Sequence, residues 1–240
     1  MRRVFTGVKG LDKMLGGGFP KGRVILVCGG PGAGKTILSL QYLIANAERG
    51  EPGVYVTFEE PINLIKQNVK SFGWNLERLE REDHLRVLNF CMVPYGDSLV
   101  LFETEKQHRT GVSIIKEIGK AINEIDARHV VLDPITSITL QQTHAHKKRH
   151  AIGQLFGSLR KTGCTSLLTM ETEPTPGGFY MEKFLADGVI ILEKFIDKKF
   201  KLIRALRIEK MRGIQHDDQP RRYEITDNGM IVYHTEPVME

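Results

Sequence analysis

The chain has 240 residues, of which 41% are hydrophobic and 26% charged. This length suits one well-buried α/β domain, and the composition is that of a folded protein. The apolar stretches are shorter than the roughly 20 residues of a membrane span, and the first residues lack a signal-peptide core. We therefore expect a cytoplasmic protein without a membrane partner. The net charge of +5 permits a polyanionic partner without requiring one.

The first 170 residues alternate between apolar strand patterns and helical patterns. Strands are predicted over residues 23–28, 53–58, 128–133 and 164–170. Helices are predicted over residues 36–48, 62–70 and 147–161, and around Ile115, Ile118, Ile122 and Ile125, which share one helix face. Continuously apolar strands that alternate with helices indicate a parallel sheet covered on both faces.

The last quarter of the chain has a different pattern. Strand-like segments at residues 189–194, 200–209, 222–225 and 230–233 are joined by short turns such as Asp227-Asn-Gly229. This pattern predicts antiparallel hairpins. Residues 171–178, with two prolines and two glycines, are expected to form a mobile loop. The fold class predicted is thus α/β, a single domain over residues 1–240 with a mainly parallel sheet and C-terminal antiparallel strands.

The strongest motif is Gly29-Gly-Pro-Gly-Ala-Gly-Lys35-Thr36, which fits the P-loop pattern G-x-x-x-x-G-K-[ST]. Its glycines let the backbone wrap a phosphate, and the following helix N-terminus favours an anion. Lys35 would contact the outer phosphates, and the Thr36 hydroxyl would bind Mg²⁺. We expect ATP or ADP to be held by Gly30, Pro31, Gly32, Ala33, Gly34, Lys35, Thr36 and Ile37.

Hydrolysis would also need carboxylates at the ends of the strands. Asp133 closes a predicted strand and is the candidate magnesium-side carboxylate, although a helix N-cap before Pro134 is also compatible with it. Glu59 and Glu60 end another strand, and one of them would polarise the attacking water. The alternative for that pair is a solvated acidic strand end. The candidate metal ligands are Thr36, Asp133 and Glu60.

These and further segments resemble the KaiC-like branch of the RecA/DnaB ATPase superfamily over nearly the whole chain. The segments that carry the resemblance are Thr6-Gly7-x-x-Gly10-Leu-Asp12, Leu15-Gly-Gly-Gly18, Val56-Thr-Phe-Glu-Glu60, Ser71-Phe-Gly-Trp74, Lys210-Met-Arg-Gly213 with His216, and Ile225-Thr-Asp-x-Gly229. The resemblance implies a RecA-like core. It also implies that Glu59, Glu60, Asp133 and Lys35 are catalytic and that Ser71 lies near the nucleotide.

The resemblance further implies a ring, expected to be a hexamer, with ATP between subunits. Lys210, Met211 and Arg212 match an element that reaches the neighbour's nucleotide, where Arg212 would act in catalysis. His216, Thr226 and Asp227 match residues on the ribose and base side. From the residues alone, Lys210 and Arg212 would be solvent-facing charges of one strand.

Some positions depart from the family pattern. Pro134 stands where serine is commoner, and Ile214 and Gln215 replace small hydroxyl residues. The clock proteins have two such domains and a Ser-Thr phosphoacceptor pair, whereas this chain has one domain with Lys183 and Phe184 at those positions. Autophosphorylation of the clock type is therefore not expected.

The most concentrated basic segment is His144-Ala-His-Lys-Lys-Arg-His150. It could contact nucleic acid at a ring channel, but the sequence offers no aromatic stacking platform beside it. A solvated helix start is therefore favoured. The leading hypothesis is a ring-forming ATPase acting on an unknown protein client. The alternatives are a nucleotide-dependent regulatory or assembly protein with negligible turnover, and a nucleic-acid-linked motor or recombination accessory.

Overall fold

A nine-stranded mixed sheet forms the centre of the fold in the computed structural model, which describes residues 1–91, 111–136, 145–172, 181–198 and 200–238. Two short strands, β1 (Arg3–Val4) and β2 (Phe19–Pro20), pair separately. The strands of the large sheet are β3 (Val24–Gly29), β4 (Gly53–Thr57), β5 (Leu85–Asn89), β6 (His129–Asp133), β7 (Thr165–Glu171), β8 (Gly188–Ile196), β9 (Leu202–Met211), β10 (Arg221–Thr226) and β11 (Gly229–Pro237).

The described helices pack on both faces of this sheet. They are α1 (Leu11–Met14), α2 (Lys35–Ala47), α3 (Ile62–Val69), α4 (Leu76–Arg81), α5 (Gly111–Glu124), α6 (Ala145–Thr162) and α7 (Met181–Leu185), with a 3₁₀ turn at Lys70–Phe72. Alternate residues of β3 face opposite sides, so Ile25 and Val27 join one core while Leu26 and Cys28 join the other. None of the described helices is long and apolar enough to cross a membrane.

The strand order is β11-β10-β9-β8-β3-β7-β6-β4-β5. The six strands from β8 to β5 run parallel, and β9, β10 and β11 continue the sheet in antiparallel fashion. The predicted α/β class, with a mainly parallel sheet and C-terminal antiparallel strands, is therefore confirmed. The predicted turn at Asp227 and Asn228 joins β10 to β11, where Thr226 pairs with Gly229.

The sequence prediction differs from the structure in several elements. Strand β5, which pairs with β4, was not predicted because a charged run precedes it and its pattern is short. Phe200 was placed in a strand, but it lies in the β8–β9 turn with a φ of 60°, and β9 begins at Leu202. Residues 173–178 of the loop expected to be mobile lie outside the described part of the chain.

The register places the predicted nucleotide-binding strand ends at one edge of the sheet and residues 210–212 at the opposite edge. Gly29 pairs with Glu171 and Asp133 pairs with Thr57, so these strand ends meet at the carboxyl edge. At the amino edge, Gly188 lies between Ile25 and Met211. Strand β3 has six residues, so the two edges are separated by roughly 16 Å at ~3.3 Å per residue.

Candidate functional site

A cleft of about 370 Å³ opens at the carboxyl edge of the parallel strands. The residues around it come from the Gly29–Thr36 loop, from the ends of β4, β6 and β7, and from β10. They are Pro31, Gly32, Gly34, Lys35, Thr36, Ile37, Tyr55, Thr57, Glu59, Glu60, Asp133, Pro134, Glu171 and Ile225. Six of the eight predicted phosphate-binding residues and all three carboxylates singled out from the sequence therefore share one cleft, whereas Gly30 and Ala33 are not among its lining residues.

The loop between β3 and α2 has the backbone that the glycine pattern predicts. Gly32 and Gly34 have φ values of 68° and 90°, which residues with a side chain rarely adopt. A Cβ on Gly34 would lie 2.9 Å from the Ile225 side chain, which also packs against this loop. Substitution of Gly34 would therefore both strain the backbone and displace the wall of the cleft.

Lys35 is buried at the start of α2 and points back into the loop. Its Nζ donates to the carbonyls of Gly29 at 2.9 Å and Gly30 at 3.1 Å, and lies 3.9 Å from Glu171 Oε1. The positive end of α2 and this ammonium group together create a site suited to phosphate oxygens. Glu171, at the end of β7, was not recognised from the sequence as a residue of this site.

Asp133 forms the opposite wall and is only 6% exposed. The Tyr55 hydroxyl donates to its Oδ2 at 2.8 Å, and the Thr169 hydroxyl donates to its Oδ1. Burial, and then the charge of Asp133, raise the pKa of Tyr55 well above its usual value, so the phenol stays a donor. These two contacts hold the carboxylate in the cleft.

Glu60 lies beside Asp133 in a partly buried position. Asn68 on α3 donates to Glu60 Oε1 at 2.8 Å, and the Thr57 hydroxyl donates to the Glu60 carbonyl at 2.7 Å. Burial, followed by the charge of Asp133, raises the pKa of Glu60, while the bond from Asn68 lowers it. Glu60 is thus held by a neighbouring helix, which the sequence alone did not indicate.

Glu59 precedes it at the same edge and is exposed. The Cys91 thiol donates to the Glu59 carbonyl at 2.8 Å, so the end of β5 holds this segment from the other side. The two glutamates therefore differ in their surroundings although they are adjacent in sequence.

The remaining predicted nucleotide residues on this side lie outside the residues that line the cleft. Ser71 follows α3, and its hydroxyl donates to the Asn68 carbonyl at 2.8 Å. Thr226 donates to the Gly229 carbonyl at 3.0 Å in the β10–β11 turn, next to Ile225, which does line the cleft. Asp227 follows in the same turn.

Lys210 and Arg212 are at the amino edge, away from the cleft of their own chain. Lys210 Nζ donates to the Lys183 carbonyl at 2.5 Å, and the Arg212 guanidinium donates to the Phe184 carbonyl at 3.1 Å. Burial, together with the nearby Arg212, lowers the pKa of Lys210. Both cations are thus held against α7 at the far end of the sheet.

Met211 and His216 also belong to the amino side. The Met211 side chain is buried against Gly188, so it is a core residue within its own chain. His216 lies in the loop after β9, where the next residue, Asp217, donates its N–H to the Met14 carbonyl at 2.8 Å.

The basic segment 144–150 falls largely outside the described side chains. His144 is not described, and residues 145–148 are described only as backbone of α6. Arg149 and His150 are exposed on this helix, which fits the favoured interpretation of a solvated helix start. Nucleic-acid binding there stays a prediction.

Similar proteins have been found over almost the full chain. The family model "ATPase: KaiC" matches residues 4–237. A UPF0273 protein from Thermotoga maritima is 35% identical over 98% of both chains. The circadian clock oscillator protein KaiC of Synechococcus elongatus is 35% identical over 95% of this chain, which corresponds to 43% of that protein.

The fold agrees with a crystal structure as well. The KaiC-like protein from the hyperthermophilic archaeon Pyrococcus horikoshii superposes with a TM-score of 0.83 and 33% identity, covering 97% of this chain and 99% of the other. The resemblance first drawn from the motifs is thereby confirmed. The chain belongs to the KaiC family of ATPases.

Proposed function

We propose that this chain is a Mg²⁺-dependent ATP hydrolase, a single domain over residues 1–240 that acts as a homo-oligomeric ring with nucleotide between subunits. The observation that carries the hydrolase proposal is the shared cleft, in which Lys35 faces Asp133 and Glu60. Family membership supports ATP as the nucleotide. A phosphate-binding loop alone would serve binding, whereas carboxylates opposite it are what hydrolysis requires.

The residues present fit a magnesium nucleotide. The Thr36 hydroxyl and the Asp133 and Glu60 carboxylates offer the oxygen ligands that Mg²⁺ prefers, and Asp133 is already oriented by Tyr55 and Thr169. When bound, the cation would offset charge on the phosphate oxygens. Lys35 and the loop N–H groups, with the backbone N–H of Ile37 in the first turn of α2, would hold the phosphates in the cleft.

Glu60 is our candidate for the group that orients water and accepts its proton. It lines the cleft from the side opposite the loop, and its raised pKa brings it closer to the range in which a carboxylate works as a general base. Glu59, more exposed at the same edge, would contribute to the field around the phosphates.

The ring proposal is supported by the position of Lys210 and Arg212. Because they lie roughly 16 Å from the carboxyl edge of their own sheet, they are suited to the nucleotide of a neighbouring copy. There, with the Met211 backbone and His216, they would offset charge on the γ-phosphate and contact the nucleotide. Ser71, Thr226 and Asp227 would approach the same nucleotide from the subunit that carries the loop. We expect six subunits.

A second candidate is a regulator in which ATP occupancy is the signal and turnover is negligible. The position of Lys210 and Arg212 at the amino edge supports this alternative. A subunit without a neighbour would have neither cation near its bound phosphates, so it would bind ATP without hydrolysing it. A nucleic-acid-linked accessory ATPase is the third hypothesis and depends on the segment 144–150. In the first two hypotheses the partner is an unknown protein client.

Phosphate release and nucleotide binding by four proteins test these alternatives. Wild type should release phosphate, and Glu60→Gln should bind ATP normally while its kcat falls about 10²-fold or more. Glu59→Gln, the matched control, should lose less of the kcat, and Lys35→Ala should lose ATP binding.

Tight ATP binding without phosphate release by wild type would favour the regulator, and strong stimulation of phosphate release by single-stranded DNA would favour the third hypothesis. Equal rates for Glu60→Gln and wild type would contradict the assigned role.

A further inference from the structure

Exposed large apolar side chains are concentrated in one hairpin. Among the described residues they are Met1, Phe5, Phe184, Phe195, Ile196, Phe200 and Leu202. Four of these seven lie within eight consecutive positions at the end of the β8–β9 hairpin, with exposures of 38%, 68%, 92% and 53% from Phe195 to Leu202. A concentration of exposed apolar side chains of this kind marks an interaction surface.

We call residues 193–198 and 200–204 the arm, because they extend past the rest of the sheet. The register of β8 with β3 ends at Leu192, and β10 pairs with β9 at Ala205 and Leu206. Between these points Glu193 to Ile196 pair with residues 202–205. Since successive side chains of a strand point to opposite faces, Phe195 and Ile196 make the arm apolar on both faces.

The arm projects beside the nucleotide cleft. Lys194, at its base, donates from Nζ to the Pro31 carbonyl at 2.5 Å, so the arm rises directly from the phosphate-binding loop. A second subunit that approaches this cleft at the carboxyl edge would therefore come close to the arm.

A smaller apolar patch lies at the opposite edge of the sheet. Phe184 is 62% exposed, and its carbonyl accepts the bond from Arg212. The Met1 sulfur lies against Gly213. We call Phe184, Arg212, Gly213 and Met1 the Phe184 face. The remaining exposed apolar residue, Phe5, lies outside both patches, with the Arg49 guanidinium over its ring at 5.0 Å from the ring centre.

We propose that the arm of one subunit packs against the Phe184 face of the next copy of this chain. The arm and the Phe184 face lie at opposite edges of the sheet. The arm adjoins the phosphate-binding loop through Lys194, and the Phe184 face contains Arg212, the proposed trans cation. Such a head-to-tail contact uses different surfaces on the two partners, and it generates a ring when the rotation between neighbours closes. The inference rests on the proposed ring and specifies the surface that holds it together.

Photo-crosslinking from the arm tests this contact in the full-length protein. Phe200 is replaced by benzoylphenylalanine, and a mixture of ¹⁵N-labelled and unlabelled chains is irradiated with ATP and Mg²⁺ present. Mass spectrometry should find adducts between differently labelled chains on the peptide that contains Phe184. A ring in native mass spectrometry whose adducts lie elsewhere overturns the arm contact but leaves the ring proposal standing. The absence of any ring overturns both.

Assembly of surface variants provides an independent measurement. Phe200→Ser and Phe184→Ser should each raise the concentration for half-assembly by at least ~10-fold, because each removes a large apolar side chain that assembly would bury. Phe5→Ser, of similar exposure to Phe195 but outside both patches, is the matched control and should assemble normally. The proposal would be overturned if both patch variants assembled like wild type. It would also be overturned if wild type sedimented with phosphatidylglycerol vesicles and Phe200→Ser did not.

Discussion

Two carboxylates of the cleft, those of Asp133 and Glu60, differ in their surroundings. Asp133 is buried and receives two hydroxyl hydrogen bonds, whereas Glu60 is partly buried and receives one amide hydrogen bond from Asn68. The two donors on Asp133 hold the orientation of its carboxylate, which suits a metal-side ligand. Burial and the neighbouring charge of Asp133 raise the pKa of Glu60, which suits a proton acceptor.

This difference predicts a pH effect for Asn68→Leu. The bond from Asn68 favours the ionised form of Glu60, so its removal should raise the pKa of Glu60 further. Because the proposed role needs the carboxylate, activity is lost as pH falls through that pKa, and the acid limb of kcat/KM should move to higher pH. Gln67→Leu, on the exposed side of the same helix, should leave the limb unchanged. A limb that stays in place in both variants would contradict the role of Glu60.

At the scale of elements, the start of β8 joins the parallel and antiparallel parts of the sheet. Asp187 is buried there and accepts from the Val24 N–H at 3.1 Å and from Arg160 Nε at 3.0 Å. Its carbonyl accepts the Arg212 N–H at 2.8 Å. One residue therefore connects β3, α6 and the end of β9, and positions the proposed trans cation.

Replacement of Asp187 by alanine should therefore destabilise the fold. The substitution leaves a buried N–H and the Arg160 guanidinium without this acceptor, and we expect the free energy of unfolding to fall by about 2 kcal/mol. Urea denaturation measures the change. Asp218→Ala, at an exposed position, should stay within roughly 0.5 kcal/mol of wild type. Equal midpoints for the two variants would show that the Asp187 contacts contribute little.

At the scale of the whole molecule, the two edges of the sheet carry complementary halves of the proposed site. The loop and carboxylates lie at one edge, and Lys210 and Arg212 lie at the other. A rigid sheet cannot bring its own edges together. In the proposed ring, a second copy would therefore complete the site.

Mixed assemblies of two inactive variants test this directly. Lys35→Ala removes the loop cation and Arg212→Ala removes the proposed trans cation, so each homogeneous ring should be nearly inactive. In an equimolar mixture, about a quarter of the interfaces would combine an intact loop with an intact Arg212. Phosphate release should recover to roughly that fraction of wild type. If Arg212 acts within its own chain or not at all, mixing would give no recovery beyond the average of the two variants.

The sequence by itself determined the local chemistry. The glycine pattern of residues 29–36 predicted the phosphate-binding loop, in which Gly32 and Gly34 adopt the positive φ angles that few other residues adopt. Apolar periodicity predicted most strands and helices, and the position of Asp133 at a strand end placed it at the correct edge. These features depend on interactions between residues that are close in sequence, so they can be predicted from the sequence alone.

Only the tertiary structure decided which distant residues meet. Thr169 is 36 residues from Asp133 and Tyr55 is 78 away, and neither could be assigned to the carboxylate without the strand register. The same holds for Glu171 beside Lys35 and for the arm beside the loop. Strand order and register are set by packing across the whole sheet, and this long-range pairing places Arg212 at the edge opposite the cleft.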